Sequence, residues 1–163
     1  MPMTKFDKMT MTEVRALIKR YAVKVHALLP VLHLVQRENG GFIPEGWALY
    51  VAELCQTTVN HVRGVITFYN MYRTEPPGKY HIMVCTSVPC GLCGGDKVLE
   101  HLEHRLNLAP GQTSKDGLFS LEEVQCLAAC DKAPLIQINA EVHERVTYDQ
   151  IDALIEEAYR KPA

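Results

Sequence analysis

Four of the chain's six cysteines form two short pairs, and the spacing within and between these pairs suits metal or redox chemistry. Cys85 and Cys90 are separated by four residues, and Cys126 and Cys130 by three. Each pair follows a predicted strand, where a loop can bring two thiolates onto one iron. Two such loops on neighbouring strands would present four sulfurs to one compact site. Four thiolates are what a 2Fe-2S cluster needs, two per iron, and soft sulfur ligands suit iron or zinc.

The same cysteines allow three other interpretations. A structural zinc ion takes four cysteines in a tetrahedral arrangement, and its ligand pairs are usually two to four residues apart. Cys85, Cys90 and Cys93 match the start of a plant-type ferredoxin, which needs only one of Cys126 and Cys130 as its fourth ligand. Cys90 and Cys93 also form a C-x-x-C pair before a predicted helix, as in thioredoxin-like redox proteins. Spacing alone leaves these alternatives open.

Sequence motifs for nucleotide binding are absent. No G-x-G-x-x-G follows a predicted strand, and there is no Walker A phosphate loop. We therefore expect the chain to bind neither NADH nor flavin by itself. Gly94 and Gly95 are interpreted as allowing a close approach to the cysteine site. Cys55 lies far from both pairs and is interpreted as a small buried apolar residue.

Composition and charge exclude several classes of function. The chain has 163 residues, of which 47% are hydrophobic and 22% charged, so it can bury a core of ordinary size. Its formal net charge of -2 offers no basic surface for a phosphate backbone, which argues against nucleic acid as a partner. No apolar run approaches the roughly 20 residues of a membrane helix. The N-terminus shows no secretory or transit pattern, so we expect a cytoplasmic protein with reduced thiols.

The chain divides into two parts at residues 75–78, Glu-Pro-Pro-Gly, because two prolines and a glycine cannot continue a helix or a central strand. Residues 1–75 hold nine Lys and Arg against six Asp and Glu, whereas residues 76–163 hold eight against thirteen. The cysteine-rich part is therefore the acidic one. We predict an N-terminal helical domain over 1–75 and a small α/β domain over 76–163.

Hydrophobic periodicity and capping residues predict four helices in the first part. A capping box of Thr10 and Glu13 opens a helix that runs to about residue 21. A second helix ends at the Asn-Gly-Gly of residues 39–41. The third begins at Pro44 and runs to about residue 54, and a short fourth helix ends or bends at Gly64.

The second part alternates strands and helices. Strands are predicted at 81–84, 119–124 and 135–138, and the first two run into the cysteine pairs. One helix is predicted at about 94–106, and another begins at a capping box of Thr147 and Gln150 and runs to about residue 159. Helices packed on a small sheet form an α/β layer domain.

Several segments together identify a family. Two carry the cysteine pairs, CTSVPC at 85–90 and CLAACDKAP at 126–134. Four more lie along the chain, QRENGGFIP at 36–44, GVITFYNMY at 64–72, KDGLF at 115–119 and PLIQIN at 134–139. In combination they resemble the thioredoxin-like 2Fe-2S subunit of bacterial NADH:quinone oxidoreductase, the E subunit of respiratory complex I. Ala128 stands where that family commonly has glycine, and the family pattern does not require Cys93.

The resemblance implies an α+β two-part chain, in which a helical bundle precedes a thioredoxin-like α/β domain holding one 2Fe-2S cluster. Cys85 and Cys90 would hold one iron, and Cys126 and Cys130 the other. The cluster would exchange electrons with the FMN of a partner flavoprotein, the F subunit, which also binds NADH. The large iron-sulfur G subunit would be a second partner. The chain alone would carry no complete active site.

The resemblance also implies where the subunit is located, and it leaves other host complexes and another function open. The subunit would lie in the peripheral arm of the complex, on the cytoplasmic side of the inner membrane, with its cluster off the main electron path to quinone. Equivalent subunits of NAD-reducing hydrogenases and NAD-dependent formate dehydrogenases share this architecture. A zinc-stabilised adaptor without a redox role is the alternative from a different class.

Overall fold

The computed structural model describes residues 5–161, and the chain forms two compact units that divide between Pro76 and Pro77. The described part of the first unit contains four α-helices, the second of which is preceded by a 3-10 turn at Lys24–Ala27. The helices are α1 (Lys8–Ile18), α2 (Leu28–Glu38), α3 (Trp47–Cys55) and α4 (Val59–Phe68).

The first unit has its own hydrophobic core. The apolar stripe of α2 buries Val31, Leu32 and Val35, and Val51 and Trp47 of α3 are buried in the same cluster. Residues three and four apart lie on one face of a helix, so the spacing of these side chains places them together. The unit can therefore be stabilised by its own packing.

Several boundaries predicted in the first unit differ from the structure, and among them α1 ends at Ile18 and not at about residue 21. Asp7, not Thr10, caps α1, and its carboxylate accepts a hydrogen bond from the backbone N–H of Thr10 at 2.7 Å. An aspartate at this position satisfies a free N–H of the first turn and so starts the helix earlier. The third helix begins at Trp47, after a turn that Pro44 opens. Gly64 lies inside α4 and does not end it.

The second unit is built on a five-stranded sheet with the order β2-β3-β1-β4-β5. Its strands are β1 (Tyr80–Cys85), β2 (Gln112–Thr113), β3 (Phe119–Val124), β4 (Leu135–Ile138) and β5 (Glu141–Glu144). Its helices are α5 (Val88–Leu92), α6 (Gly95–Leu106) and α7 (Tyr148–Arg160). Leu102 of α6 and Ile151 of α7 lie in one buried cluster with the sheet residues Ile82, Leu121 and Ile136.

The pairing of β1 with β3 decides where the cysteines lie. The two strands are neighbours and parallel, and Cys85 is opposite Val124 in the register. The carboxyl ends of parallel strands lie at the same edge of a sheet, so the loops that follow β1 and β3 leave the sheet side by side. Strand β4 pairs with the other side of β1 in the antiparallel sense.

The predictions for the second unit agree with most of its elements. The strands at 119–124 and 135–138 and the capping box of Thr147 and Gln150 on α7 are confirmed. The short edge strands β2 and β5 were not predicted, and neither was α5, a separate turn of helix before α6. None of the described helices is long and apolar enough to cross a membrane.

Candidate metal centre

The structure brings the four predicted cysteines to one edge of the sheet. Cys85 ends β1 and Cys90 lies in α5, whereas Cys126 follows β3 by two residues and Cys130 begins a 3-10 turn. The thiols of Cys85 and Cys90 interact with each other, and the thiol of Cys130 lies within electrostatic reach of both Cys126 and Cys85. The two loops therefore bring both cysteine pairs to the same edge of the sheet.

The two pairs differ in exposure. Cys85 and Cys90, which we call the inner pair, are 1% and 0% exposed and pack against buried Leu135. Cys126 and Cys130, the outer pair, are exposed. A metal centre held by all four would therefore have one side enclosed by protein and the other at the surface.

Close packing of α6 fixes the inner pair. A Cβ atom on Gly95, the first residue of α6, would lie 2.8 Å from the carbonyl oxygen of Cys85 and 2.9 Å from that of Cys90. Only glycine permits this approach, so the close approach expected from the sequence is found at Gly95. At Gly94 a Cβ would meet no atom within 4 Å, and the φ of 93° is what favours glycine there. The hydroxyl of Ser87 also lies 3.3 Å from the sulfur of Cys85. Ser87 was not predicted as a residue of the site, although a hydroxyl two residues after a candidate ligand could have been recognised in the sequence.

The outer loop contains a strained residue. Ala128 has a φ of 60°, in the left-handed region that favours glycine. In this conformation its backbone N–H donates a hydrogen bond to the sulfur of Cys126 at 3.3 Å. The backbone geometry explains why a glycine is common at this position in the family that the sequence resembles.

We expect Ala128→Gly to stabilise the second unit. Removing the Cβ relieves about 1–2 kcal/mol of left-handed strain and costs about 0.5–1 kcal/mol in chain entropy, so the free energy of unfolding should rise by up to about 1.5 kcal/mol. Chemical denaturation measures the change. Ala129→Gly is the matched control, because Ala129 has a φ of -128° and gains nothing from glycine. Equal effects of the two variants would contradict the strain argument.

Burial and neighbouring thiols set the protonation of the candidate ligands. Burial raises the pKa of the Cys90 thiol, and the adjacent Cys85 raises it further. Burial also opposes ionisation of Cys85, but hydrogen bonds from Ser87, Cys90 and the backbone of Leu127 together outweigh it and lower the pKa of that thiol. Partial desolvation and the nearby Cys126 raise the pKa of Cys130. Neighbouring thiolates repel one another, and a bound cation removes that penalty.

The two cysteine pairs can be compared with what zinc and 2Fe-2S sites need. Within residues 5–161, no three His, Cys, Asp or Glu side chains converge as ligands of a single ion. A tetrahedral zinc site needs four ligands around one centre, whereas a 2Fe-2S cluster needs two thiolates on each of two irons. An inner and an outer pair on adjacent loops match the second requirement. The donor set, four sulfurs, is also the one that this cluster uses.

The other two cysteines lie outside this set. Cys93 caps the C-terminal end of α5 and is exposed. Cys55 lies at the end of α3 with no exposed surface, and burial raises the pKa of its thiol to about 11. The interpretation of Cys55 as a buried apolar residue agrees with this environment.

We expect Cys93 to react with a maleimide in the metal-loaded protein and Cys55 to remain unmodified. At pH 8 a thiol with a pKa near 11 is ionised in only about one molecule in a thousand, and the thiolate is the reactive form. Peptide mass spectrometry after brief labelling identifies the modified cysteine. Protection of Cys93 until the metal is removed would instead make Cys93 a ligand.

Three comparisons place the chain among known proteins. Residues 14–159 match the thioredoxin-like 2Fe-2S ferredoxin family. The E subunit of the NADH-quinone oxidoreductase from Rickettsia felis is 39% identical over 93% of this chain and 92% of its own length. Its counterpart from Thermus thermophilus, called subunit 2 of the NADH-quinone oxidoreductase, is 41% identical over 79% of this chain and 71% of its own length.

A solved structure shares the fold. The crystal structure of an NAD+-reducing NiFe hydrogenase in the H2-reduced state matches 83% of this chain and 22% of the hydrogenase chain, with a TM-score of 0.71 and 24% identity. At that identity the match shows only that the fold is shared. The match covers most of this chain and agrees with the fold described above.

Proposed function

This chain belongs to the thioredoxin-like 2Fe-2S ferredoxin family, and we propose that it serves as an electron-transfer subunit of an NADH-quinone oxidoreductase. The observation that carries the proposal is the pairing of a buried and an exposed set of cysteines at one edge of the sheet. The inner pair anchors a centre in the protein, and the outer pair leaves it accessible to a redox partner. The oxidoreductase activity belongs to the complex, and this chain supplies one carrier.

Cys85 and Cys90 hold one iron in this proposal, and Cys126 and Cys130 hold the other. When bound, a 2Fe-2S cluster takes up and releases one electron. The chain's own groups prepare the site for the negative charge that reduction adds. The Ser87 hydroxyl and the Ala128 N–H lie against ligand sulfurs and stabilise that charge.

The partners follow from the proposed role. A single-electron carrier whose sequence has no recognisable nucleotide-binding motif needs another subunit to oxidise NADH, and we assign that step to a flavoprotein, the F subunit, which holds FMN and NADH. The large iron-sulfur G subunit is the second neighbour. We further propose a place in the peripheral arm, on the cytoplasmic side of the membrane. Co-purification and identification of the partners would separate this assignment from a hydrogenase or formate dehydrogenase complex.

The decisive experiment follows electrons from NADH into the purified protein. The chain reconstituted with iron and sulfide should be brown-red, contain two irons per molecule, and remain oxidised when NADH alone is added. Adding the flavoprotein subunit of the same organism should bleach its visible absorption and produce an electron spin resonance signal. A colourless protein that binds one zinc would support the adaptor function and overturn ours.

We expect Asp131→Asn to raise the reduction potential of the bound cluster by a few tens of millivolts at most. Asp131 is exposed and follows the ligand Cys130, so its negative charge opposes the addition of an electron. The interaction of two such charges near water is about 1 kcal/mol or less. Potentiometric titration monitored by electron spin resonance measures the shift. An unchanged or lower potential would show that this charge does not contribute to the potential.

A further inference from the structure

Ser87 occupies the N-cap position of α5, but its hydroxyl does not cap that helix. A serine at this position normally accepts a hydrogen bond from the second or third N–H of the helix. The N-cap side chains of α1, α4 and α7 do so, accepting from the N–H groups of Thr10, His61 and Gln150. Of the four α-helices within residues 5–161 that begin after an Asp, Ser or Thr, α5 alone lacks this bond.

The Ser87 hydroxyl lies against a candidate ligand instead, 3.3 Å from the sulfur of Cys85. The start of α5 makes this possible. Pro89 near the start of the helix has no backbone N–H, so the first turn has one donor fewer to satisfy. The carbonyl oxygen of Ser87 accepts a hydrogen bond from the N–H of Gly91 at 2.8 Å, so the helix begins at Ser87 without help from the hydroxyl. The hydroxyl is therefore available to the sulfur.

The hydroxyl is the donor in this contact whenever Cys85 is a metal ligand. A cysteine that binds a metal has lost its thiol proton, so its sulfur can only accept a hydrogen bond. Cys85 is buried, and a hydrogen bond to a charged group is stronger where little water competes for it. The bond from Ser87 therefore strengthens as the negative charge on the sulfur increases.

We propose that Ser87 is a positioning residue that raises the reduction potential of the bound cluster by donating its hydroxyl hydrogen to the sulfur of Cys85. This inference rests on the proposed function and names a residue that tunes the proposed electron carrier. An added electron makes the cluster and its sulfur ligands more negative, so a donor to one of those sulfurs favours the reduced form. The hydroxyl at the start of α5 thus acts on the metal centre rather than on the helix.

The test measures the reduction potential of Ser87→Ala in the full-length, cluster-loaded chain. This variant removes only the hydroxyl, so one charge-assisted hydrogen bond to the sulfur is lost. At the midpoint potential of the wild type, the ratio of reduced to oxidised cluster should be about three to ten times lower in Ser87→Ala. For a one-electron couple this ratio corresponds to a potential lower by about 30–60 mV. Potentiometric titration monitored by electron spin resonance measures the shift.

Two further variants separate the contact with the sulfur from helix capping. Ser87→Thr keeps the hydroxyl and should keep the wild-type potential. Thr147→Ala removes a hydroxyl that does cap a helix, α7, so it should lower the denaturation midpoint of the metal-free chain and leave the potential of the loaded chain unchanged. Ser87→Ala should show the opposite pattern, an unchanged denaturation midpoint and a lower potential.

A lower potential in Ser87→Ala that Ser87→Thr restores supports the proposal. An unchanged or higher potential in Ser87→Ala overturns it. A loss of metal-free stability as large as that of Thr147→Ala also overturns it, because the hydroxyl would then act as a helix cap. Iron loss from Ser87→Ala does so too, since Ser87 would then be needed to bind the cluster rather than to tune it.

These outcomes are distinct from failure of the proposed function. If the wild-type chain forms a 2Fe-2S cluster that NADH and the flavoprotein reduce, that function stands whatever the potential of Ser87→Ala. If the wild-type chain forms no such cluster, the proposed function and the role of Ser87 both fail.

Discussion

Cys130→Ser should abolish or grossly alter the 2Fe-2S cluster, whereas Cys93→Ser should leave the cluster intact. Cys130 lies in the outer loop within electrostatic reach of Cys126 and Cys85, so serine removes a sulfur that no neighbour replaces. Cys93 lies at the end of α5 and is exposed, as a fifth thiol beyond the four that the cluster needs. Iron and sulfide content, the visible spectrum and electron spin resonance of both purified variants measure the difference.

The same two variants test the plant-type alternative. In a plant-type ferredoxin the ligands would be Cys85, Cys90 and Cys93, with one cysteine of the second pair. A cluster that survives Cys130→Ser but is lost in Cys93→Ser would therefore reject our ligand assignment. Cys55→Ser is the control for general effects of thiol removal, since Cys55 is buried in the other unit.

Gly95→Ala should impair both the stability of the second unit and its retention of the cluster. The added Cβ would lie 2.8 Å and 2.9 Å from the backbone carbonyl oxygens of Cys85 and Cys90. Backbone atoms cannot move aside as a flexible side chain can, so α6 must shift away from the inner pair. Overpacking of this kind typically costs about 1–3 kcal/mol. Denaturation of the metal-free protein measures the loss of stability, and iron retention during dialysis against a chelator measures the effect on the site.

Gly64→Ala is the matched control for this prediction. Gly64 is also helical, but a Cβ at that position meets no atom within 4 Å. Alanine is the better helix former by about 1 kcal/mol, so Gly64→Ala should be neutral or stabilising. If Gly95→Ala unfolds at the same denaturant concentration as the wild type and retains its iron, the close packing of α6 does not control the inner pair.

The sequence predicts well those features that local chemistry determines. Strand β3 and strand β4 have the predicted bounds because each is a run of apolar or alternating residues between turns. The start of α7 is predicted because Thr147 and Gln150 satisfy each other's backbone donors within four residues. The same local patterns, together with the resemblance to a known family, predict that both cysteine pairs follow neighbouring strands.

Features that depend on tertiary contacts could not be predicted in this way. Strands β2 and β5 are short and exposed, and only their pairing with β3 and β4 makes them strands. Asp7 and Thr10 are both residue types that cap helices well, and in the structure Asp7 is the cap whereas Thr10 is buried inside α1. The spacing of the cysteines likewise does not predict that the inner pair is buried and the outer pair exposed. This difference arises from the close approach of α6 to the first loop.

The parallel pairing of β1 with β3 has a consequence for the order of assembly in the cell. Thirty-five residues separate Cys90 from Cys126, and they include α6, β2 and β3. The two ligand loops meet only after β1 and β3 have aligned, and such non-local pairing forms late because the intervening chain must first close a loop. The hydrophobic core of the second unit contains no cysteine from the outer loop. We therefore expect the iron-sulfur biogenesis machinery to load a chain that has already folded, through the open side where Cys126 and Cys130 are exposed.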